Sequence, residues 1–245
     1  MLTAFNGNAI TYDTIGNPLQ YYNGNVFTWK QGRRLSTVSK NGSVVASYDY
    51  DENGIRTSKT INGVEHKYIL NGSQIVAEKW GNQIVIYLYD ESGSPIGMVY
   101  RNSTMETDVY ETYFFEKNMF GDILAVYNTS GKKQVSYTYD AFGNCTVTTH
   151  VSSNALLNSL RYRGYYYDGE TGFYYLNSRY YDPVTCRFIN EDSFVYTGQR
   201  LIGYNMFAYC GNNPVSMTDS TGDFPVLAVV LAACAVGAVI GIVSY

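Results

Sequence analysis

The sequence predicts an all-β protein in which antiparallel β-hairpin repeats form a curled sheet. Aromatic residues make up 16% of the 245 residues, tyrosine occurs 26 times and glycine 23 times, which is typical of strands joined by tight turns. Apolar and polar residues alternate in runs such as residues 43–50 and 133–140, the pattern of a half-buried strand. Six Asn-Gly pairs, which favour two-residue hairpin turns, lie at positions 6–7, 23–24, 41–42, 53–54, 62–63 and 71–72.

A degenerate repeat organises residues 1–150. Each unit has an aromatic residue, then polar residues, then glycine, and through the middle of this stretch the units recur roughly every twenty residues, a period typical of stacked small units. The Asp or Asn side chain can bond to the backbone two residues on, and glycine accepts a positive φ. The units are YDTIG (12–16), WKQG (29–32), YDENG (50–54), YILNG (68–72), YDESG (89–93), YNTSG (127–131) and YDAFG (139–143).

The segment RGYYYDGETGFYYLNSRYYDP, residues 163–183, contains seven tyrosines. Its centre, DGETG at 168–172, predicts a turn between two tyrosine-rich strands. A tyrosine ring can pair across strands for about 0.2–1 kcal/mol while its hydroxyl stays hydrated. We therefore expect a strand pair whose rings are partly buried and whose hydroxyls face water.

Composition and spacing argue against several classes of function. A net charge of −4 leaves no basic surface for nucleic acid, so we predict no nucleic-acid partner. Neither the four cysteines nor the two histidines have the spacing of metal ligands, and no Walker loop or nucleophile elbow occurs. We predict no metal and no cofactor, and no signal peptide in this chain, because the N-terminus has no basic and apolar regions.

The C-terminal segment, residues 224–245, contains no charged residue and is long enough to cross a bilayer core of about 30 Å as a helix. We predict an apolar helix here, with residues 224–244 in contact with a membrane. Two alternatives remain open. The segment could be the start of a further, variable region, or a buried strand or helix.

The YD-G units are followed by RYRGYYYDGETGFYYLNSRYYDPVTCRFINED and then by NMFAYCGNNPVSMTDSTGD. In this order the motifs resemble the C-terminal part of Rhs/YD-repeat proteins, and the resemblance extends to Gly222. It implies a curled sheet or partial shell built of YD-type β repeats over residues 1–150, and an Rhs repeat-associated core domain over 151–223 that closes the shell as a plug. It also implies that the apolar segment 224–245 could be the start of a variable, toxin-like region.

The same resemblance implies a function. We expect a structural scaffold that encapsulates and delivers the payload of an Rhs-type secreted toxin or effector. Its partners would be a C-terminal toxin-like payload, the immunity protein of that payload, and the rest of the Rhs shell. The alternative is a cell-surface or cell-wall protein that binds carbohydrate through exposed tyrosines. Both predict a secreted or surface location, and segment 224–244 adds membrane association as an option.

The resemblance also implies self-cleavage near residues 222–225, which leaves open whether the chain is an enzyme. Carried over by position, the catalytic residues are Asp192, Asp219 and Arg179. Two carboxylates held close together cannot both ionise readily, so one acts as acid and the other as base. An arginine beside them would stabilise charge. The competing interpretation is that both aspartates only shape turns.

The sequence departs from the family pattern around these residues. Ser193 and Ser220 stand where proline follows each aspartate in the family, and Asp223 stands where a hydrophobic residue is expected. Losing the prolines removes the preset φ of each turn, and a buried pocket for a hydrophobic side chain would reject a charge.

Overall fold

A computed structural model describes residues 1–104, 106, 109–192, 205–219, 221–222 and 226–227. Within these residues the chain forms β-strands and short 3-10 turns and no α-helix, which confirms the all-β prediction. The 3-10 turns are Asn154–Leu157, Tyr162–Gly164 and Cys210–Asn212. The strands are β1 Ala4–Phe5, β2 Asn8–Ala9, β3 Thr11–Tyr12, β4 Pro18–Gln20, β5 Asn25–Lys30, β6 Arg34–Lys40, β7 Ser43–Tyr50, β8 Arg56–Ile61, β9 Val64–Asn71, β10 Gln74–Trp80, β11 Gln83–Tyr89, β12 Pro95–Asn102, β13 Glu111–Lys117, β14 Ile123–Asn128, β15 Lys133–Tyr139, β16 Cys145–Thr149, β17 Tyr166–Asp168, β18 Phe173–Leu176, β19 Arg179–Asp182, β20 Arg187–Phe188, β21 Met217–Thr218 and β22 Val226–Leu227.

Strands β3 to β16 form one fourteen-stranded antiparallel sheet in which each strand pairs with the next along the chain. This order confirms the predicted succession of hairpins. The sheet is open, because its edge strands β3 and β16 do not pair with each other. The expected closure of a shell is therefore absent from the part of the chain that the structure describes.

The YD-G units form the turns between these strands by the mechanism that the sequence predicts. In the unit 139–143, Asp140 Oδ1 accepts the backbone N–H of Phe142 at 2.9 Å and that of Asn144 at 3.0 Å. Gly143 has a φ of +89°, which a residue with a side chain rarely adopts. The carboxylate and the glycine together reverse the chain, so each unit ends one strand and starts the next.

The aromatic residue of several units holds its own strand to the strand before it. Its hydroxyl or indole N–H donates to a main-chain carbonyl near the start of that preceding strand, across 11–16 residues of sequence. Tyrosine and tryptophan can make this bond and phenylalanine cannot. The bonds are Trp29 to Pro18 at 2.7 Å, Tyr50 to Leu35 at 2.9 Å, Tyr89 to Ile75 at 2.7 Å and Tyr139 to Ile123 at 2.7 Å.

Strands β17 to β20 form a second, four-stranded sheet that both ends of the large sheet contact. Near the first end, the Tyr21 hydroxyl donates to Asp182 at 3.0 Å. Near the other end, the Asn144 amide donates to the carbonyl of Pro183 at 3.1 Å. Because adjacent residues of the small sheet contact opposite ends of the large one, the large sheet curls around it, as predicted.

The tyrosines of segment 163–183 are more deeply buried than the sequence suggested. Six of the seven are buried, and several hydroxyls bond to protein rather than to water. Tyr174 donates to the carbonyl of Gly143 at 2.9 Å, and Tyr181 donates to that of Phe142 at 2.7 Å. The prediction of hydrated hydroxyls was wrong here, because turns of the large sheet supply the acceptors.

The predicted apolar helix over 224–245 does not form at the two residues of this segment that are described. Val226–Leu227 is strand β22, which pairs with β21. Phe224, Pro225 and residues 228–245 lie outside the described residues. Among the described residues, no helix has the length and apolar character needed to span a membrane.

Candidate active site

Arg179 opens strand β19 directly after the two-residue turn formed by residues 177–178. Leu176 and Arg179 pair across this turn, and Asn177 adopts a φ of +58°, a left-handed conformation that asparagine tolerates better than most residues. The Arg179 side chain is buried, and its guanidinium lies 3.6 Å from the centre of the Phe188 ring. The tight hairpin therefore places a cation inside the protein.

The guanidinium of Arg179 contacts both predicted aspartates and the main chain beside them. Its Nη2 atom lies 2.9 Å from Asp192 Oδ2 and 3.7 Å from Asp219 Oδ2. Its Nε atom donates a hydrogen bond to the carbonyl oxygen of Gly222. Its Nη1 atom donates to the carbonyl of Met206 at 3.1 Å. One side chain thus holds two carboxylates and two peptide carbonyls together.

Asp219 and Gly222 lie in one loop, which the pairing of β21 with β22 closes. Asp219 Oδ1 accepts the backbone N–H of Gly222 at 2.8 Å and that of Thr221 at 3.3 Å. The backbone N–H of Asp219 in turn donates to the Tyr165 hydroxyl at 3.1 Å. The carboxylate shapes its own turn, and its second oxygen faces Arg179.

All three charged side chains are shielded from water. The exposed fraction is 5% for Arg179, 4% for Asp192 and 1% for Asp219. Buried charges need a partner of opposite sign, and here one cation lies beside two carboxylates. Arg179 is the shared partner of both carboxyls and also donates to the Gly222 carbonyl, so the arrangement combines two carboxyl groups with a hydrogen-bond donor to a peptide carbonyl.

The structure brings together all three residues that the resemblance singled out, and their catalytic roles stay a prediction. The alternative that the aspartates only shape turns accounts for Asp219 Oδ1, which accepts a bond from the turn backbone. It does not account for Asp219 Oδ2, which lies beside Arg179. Ser193, Ser220 and Asp223 lie outside the described residues. Sequence reasoning missed Ser178, whose hydroxyl donates to the carbonyl of Thr221 at 2.9 Å.

A second cluster of buried charges joins the two sheets away from this site. Arg56 in β8 binds Asp168 at the end of β17 through two nitrogens, at 2.6 and 3.1 Å. Lys59 lies 3.0 Å from Asp168 and 3.2 Å from Glu170. The Arg56 guanidinium also lies 4.2–5.7 Å from the ring centres of five tyrosines, namely Tyr48, Tyr68, Tyr166, Tyr175 and Tyr180.

The pKa values of the two carboxyls in this second cluster shift in opposite directions. Burial alone would raise the pKa of Asp168, but the charges of Arg56 and Lys59 outweigh it and hold that pKa below its ordinary value. Burial and the nearby charge of Asp168 raise the pKa of Glu170, and the attraction of Lys59 offsets this only in part. Asp168 is therefore the anion that Arg56 and Lys59 share, and Glu170 is a second carboxyl partner of Lys59.

Within the described ranges, no three or more His, Cys, Asp or Glu side chains are grouped so that they could hold a metal ion. The absence of a metal and of a cofactor stays a prediction from the sequence.

No family model matches the chain. A tRNA3(Ser)-specific nuclease WapA from Bacillus spizizenii is 36% identical over 228 residues, which cover 90% of this chain and 9% of that protein. The chain is related to the WapA proteins. A double-stranded DNA deaminase toxin A from Burkholderia cenocepacia is 27% identical over 80% of this chain and 15% of its own length. The chain thus spans less than a fifth of these relatives.

A solved structure of TcdB2-TccC3 has a TM-score of 0.63 to this chain at 19% identity, over 84% of this chain and 11% of that one. At this identity the likeness shows a shared fold. Together with the WapA relationship, it supports the resemblance to Rhs-type toxins in its coarser form. The assignment of residues 151–223 as a plug that closes a shell stays a prediction.

The relatives correct the predicted function. They are named for a nuclease and for a deaminase toxin, and neither name describes a scaffold. The scaffold function was wrong, and with it the alternative of a carbohydrate-binding surface protein. The scaffold function came from the resemblance and the carbohydrate-binding alternative from the abundant tyrosines, and both of these report architecture and not activity. Because two relatives are named for acting on tRNA and on double-stranded DNA, the exclusion of nucleic acid also stays a prediction.

Proposed function

We propose that this chain is an enzymatic component of a toxin and that its reaction is hydrolysis of one of its own peptide bonds, the one whose carbonyl belongs to Gly222. One observation carries the proposal: Arg179 contacts Asp192, Asp219 and the Gly222 carbonyl at the same time. A buried aspartate pair beside a peptide carbonyl is an arrangement suited to acid–base hydrolysis.

The reaction divides between the three side chains. Arg179 donates to the Gly222 carbonyl oxygen, and it stabilises the negative charge that grows there when water attacks. One carboxylate takes a proton from the water as its oxygen bonds to the carbonyl carbon. The other, protonated carboxyl gives its proton to the amide nitrogen as the C–N bond breaks. The products are a chain that ends at Gly222 and a segment that begins at Asp223.

The loop geometry supports an intramolecular reaction. Asp219 and Gly222 belong to one loop, and two hydrogen bonds from the loop backbone to Asp219 Oδ1 fix their separation. Holding a reacting bond next to its catalytic groups avoids the entropy loss of a bimolecular encounter, which can lower the activation barrier by about 7–11 kcal/mol. These bonds also hold the turn that a proline at position 220 would otherwise preset.

The division of the chain and its partners are part of the proposal. We propose that residues 1–150 are the repeats, that 151–223 is the domain that carries the reaction, and that 224–245 begins the segment it releases. TccC3, which shares the fold, occurs together with TcdB2. By analogy, this chain would act with partner proteins and an immunity protein in a toxin that is secreted or delivered to other cells.

The test uses the full 245-residue chain, made by cell-free translation and followed over time on a denaturing gel with intact mass. We expect the 27.5 kDa species to convert to a chain that ends at Gly222. We expect Asp219→Asn to slow this conversion by about 100-fold or more, because it removes one acid–base group.

Asp140→Asn is the matched control. Asp140 also accepts two backbone N–H groups in a YD-G turn, but it is exposed, so its loss should leave the conversion unchanged. A wild-type chain that stays at 27.5 kDa, or an Asp219→Asn chain that is cut as fast as wild type, would overturn the proposal.

A further inference from the structure

The hairpin turn before Arg179 contacts the main chain of the loop that contains Gly222. The Ser178 hydroxyl donates to the carbonyl of Thr221 at 2.9 Å, and the Ser178 backbone N–H approaches the same oxygen at 3.3 Å. The next residue, Arg179, donates to the carbonyl of Gly222. Two consecutive residues of the turn therefore hold two consecutive carbonyls of the loop.

The same turn leaves no room for a side chain at position 222. A Cβ atom added to Gly222 would lie 2.5 Å from the carbonyl oxygen of Leu176 and 2.7 Å from Ser178 Oγ. Gly222 also adopts a φ of +80°, a left-handed conformation that residues with a side chain rarely adopt. The close approach brings the loop backbone against the turn.

We propose that the turn at residues 177–178 is the substrate clamp of this site, with Ser178 as the positioning residue that sets the register of the Gly222 carbonyl against Arg179. This inference rests on the proposed self-cleavage. The bond from the Ser178 hydroxyl to the Thr221 carbonyl holds the next carbonyl, that of Gly222, at Arg179, and only glycine fits the space at position 222.

The clamp defines what kind of substrate the site accepts. The contacts of Ser178 and Arg179 go to main-chain oxygens, and glycine is required at 222 by space and by φ. The site therefore recognises the main chain of a tight turn, with no side chain at the residue that supplies the attacked carbonyl.

The experiment compares Ser178→Ala and Ser178→Thr with the wild-type full chain in the same time course. Ser178→Ala removes the hydroxyl donor, so we expect cleavage about 10-fold slower, since small misplacements of a reacting group cost up to about 100-fold. Ser178→Thr keeps the hydroxyl and should restore the rate. Ser178 is exposed, so neither change should shift the thermal unfolding midpoint by more than about 1–2 °C.

Ser92→Ala is the control, because the Ser92 hydroxyl donates to Asp90 in a distant exposed turn, and it should cleave at the wild-type rate. If wild type cleaves and Ser178→Ala cleaves equally fast, the clamp is wrong and the peptidase function stands. If Ser178→Thr is as slow as Ser178→Ala, the hydroxyl is not the positioning group and the clamp is also wrong. If wild type does not cleave, both proposals are overturned.

Discussion

At the residue scale, Gly222 carries two separate constraints. One is its positive φ, which it shares with many turn glycines of this chain. The other is the close approach of the carbonyl of Leu176 and the hydroxyl of Ser178. The positive φ affects stability, and the close approach affects where the loop lies relative to Arg179. The two effects can be separated by comparing Gly222 with a glycine that has a positive φ but no close neighbour.

We expect Gly222→Ala to reduce the rate of self-cleavage by about 100-fold, because the methyl group pushes the carbonyl away from Arg179. Gly131→Ala is the matched control: its φ is +74° and nothing lies within 4 Å of its added Cβ. It should cost about 1–2 kcal/mol of stability and leave cleavage unchanged. Time courses on denaturing gels, with urea unfolding of each variant, separate the two effects. Equal rates for Gly222→Ala and wild type would contradict the steric argument.

The residues of the candidate site differ in how far the sequence predicts them. Asp192, Asp219 and Arg179 could be named because each lies in a motif of the resembled family. Ser178 could not, since its contact is to a main-chain oxygen 43 residues away, and a main-chain acceptor leaves no pattern in the sequence. Motifs report chemistry-bearing side chains, whereas the backbone contacts that aim them depend on the fold.

At the scale of the element, local chemistry predicts strands and turns well in this chain. Alternation marks the strands, and Asp and Gly at fixed positions mark the turns, because each acts within a few residues. The bond from the Tyr89 hydroxyl to the carbonyl of Ile75 was not predicted. It depends on which strands are neighbours, and the sequence alone suggested that tyrosine hydroxyls stay hydrated.

We expect Tyr89→Phe to lower the free energy of unfolding by about 1 kcal/mol, because it leaves the carbonyl of the buried residue Ile75 without this donor. Tyr127→Phe is the control, since the Tyr127 hydroxyl donates to the exposed Glu116 and its loss should cost less than about 0.5 kcal/mol. Urea unfolding followed by tyrosine fluorescence measures both. A Tyr89→Phe variant as stable as Tyr127→Phe would mean that the bond contributes nothing to holding adjacent strands.

At the scale of the whole molecule, the least predictable feature is the contact between the curled sheet and the small sheet. Its centre is the pair of Arg56 and Asp168, which lie 112 residues apart in sequence and are both fully buried. Nothing local distinguishes these residues from surface charges. Partial burial of tyrosine was predicted; a closed ionic cluster surrounded by tyrosine rings was not, because it exists only when the two sheets meet.

The linkage between pH and folding follows from the pKa of Asp168. Its folded pKa lies below the unfolded value of 3.8, because the charges of Arg56 and Lys59 overcome the effect of burial. The carboxylate therefore stabilises the fold fully above 3.8, and this contribution is lost as the pH falls through the lower, folded pKa. Glu170 acts in the opposite direction, since its pKa is raised.

We expect Asp168→Asn to lower the free energy of unfolding at neutral pH by about 3–5 kcal/mol, because it leaves Arg56 buried without its carboxylate. The variant has no carboxylate at this position that acid could protonate. Below pH 3.8 its free energy of unfolding should therefore fall less steeply than that of wild type. Urea unfolding from about pH 7 to about pH 3 measures both effects.

Asp49→Asn is the control: Asp49 pairs with Lys30 at 2.6 Å but is 72% exposed, so its loss should cost less than about 1 kcal/mol. If the two variants unfold alike, the buried cluster does not hold the small sheet against the large one.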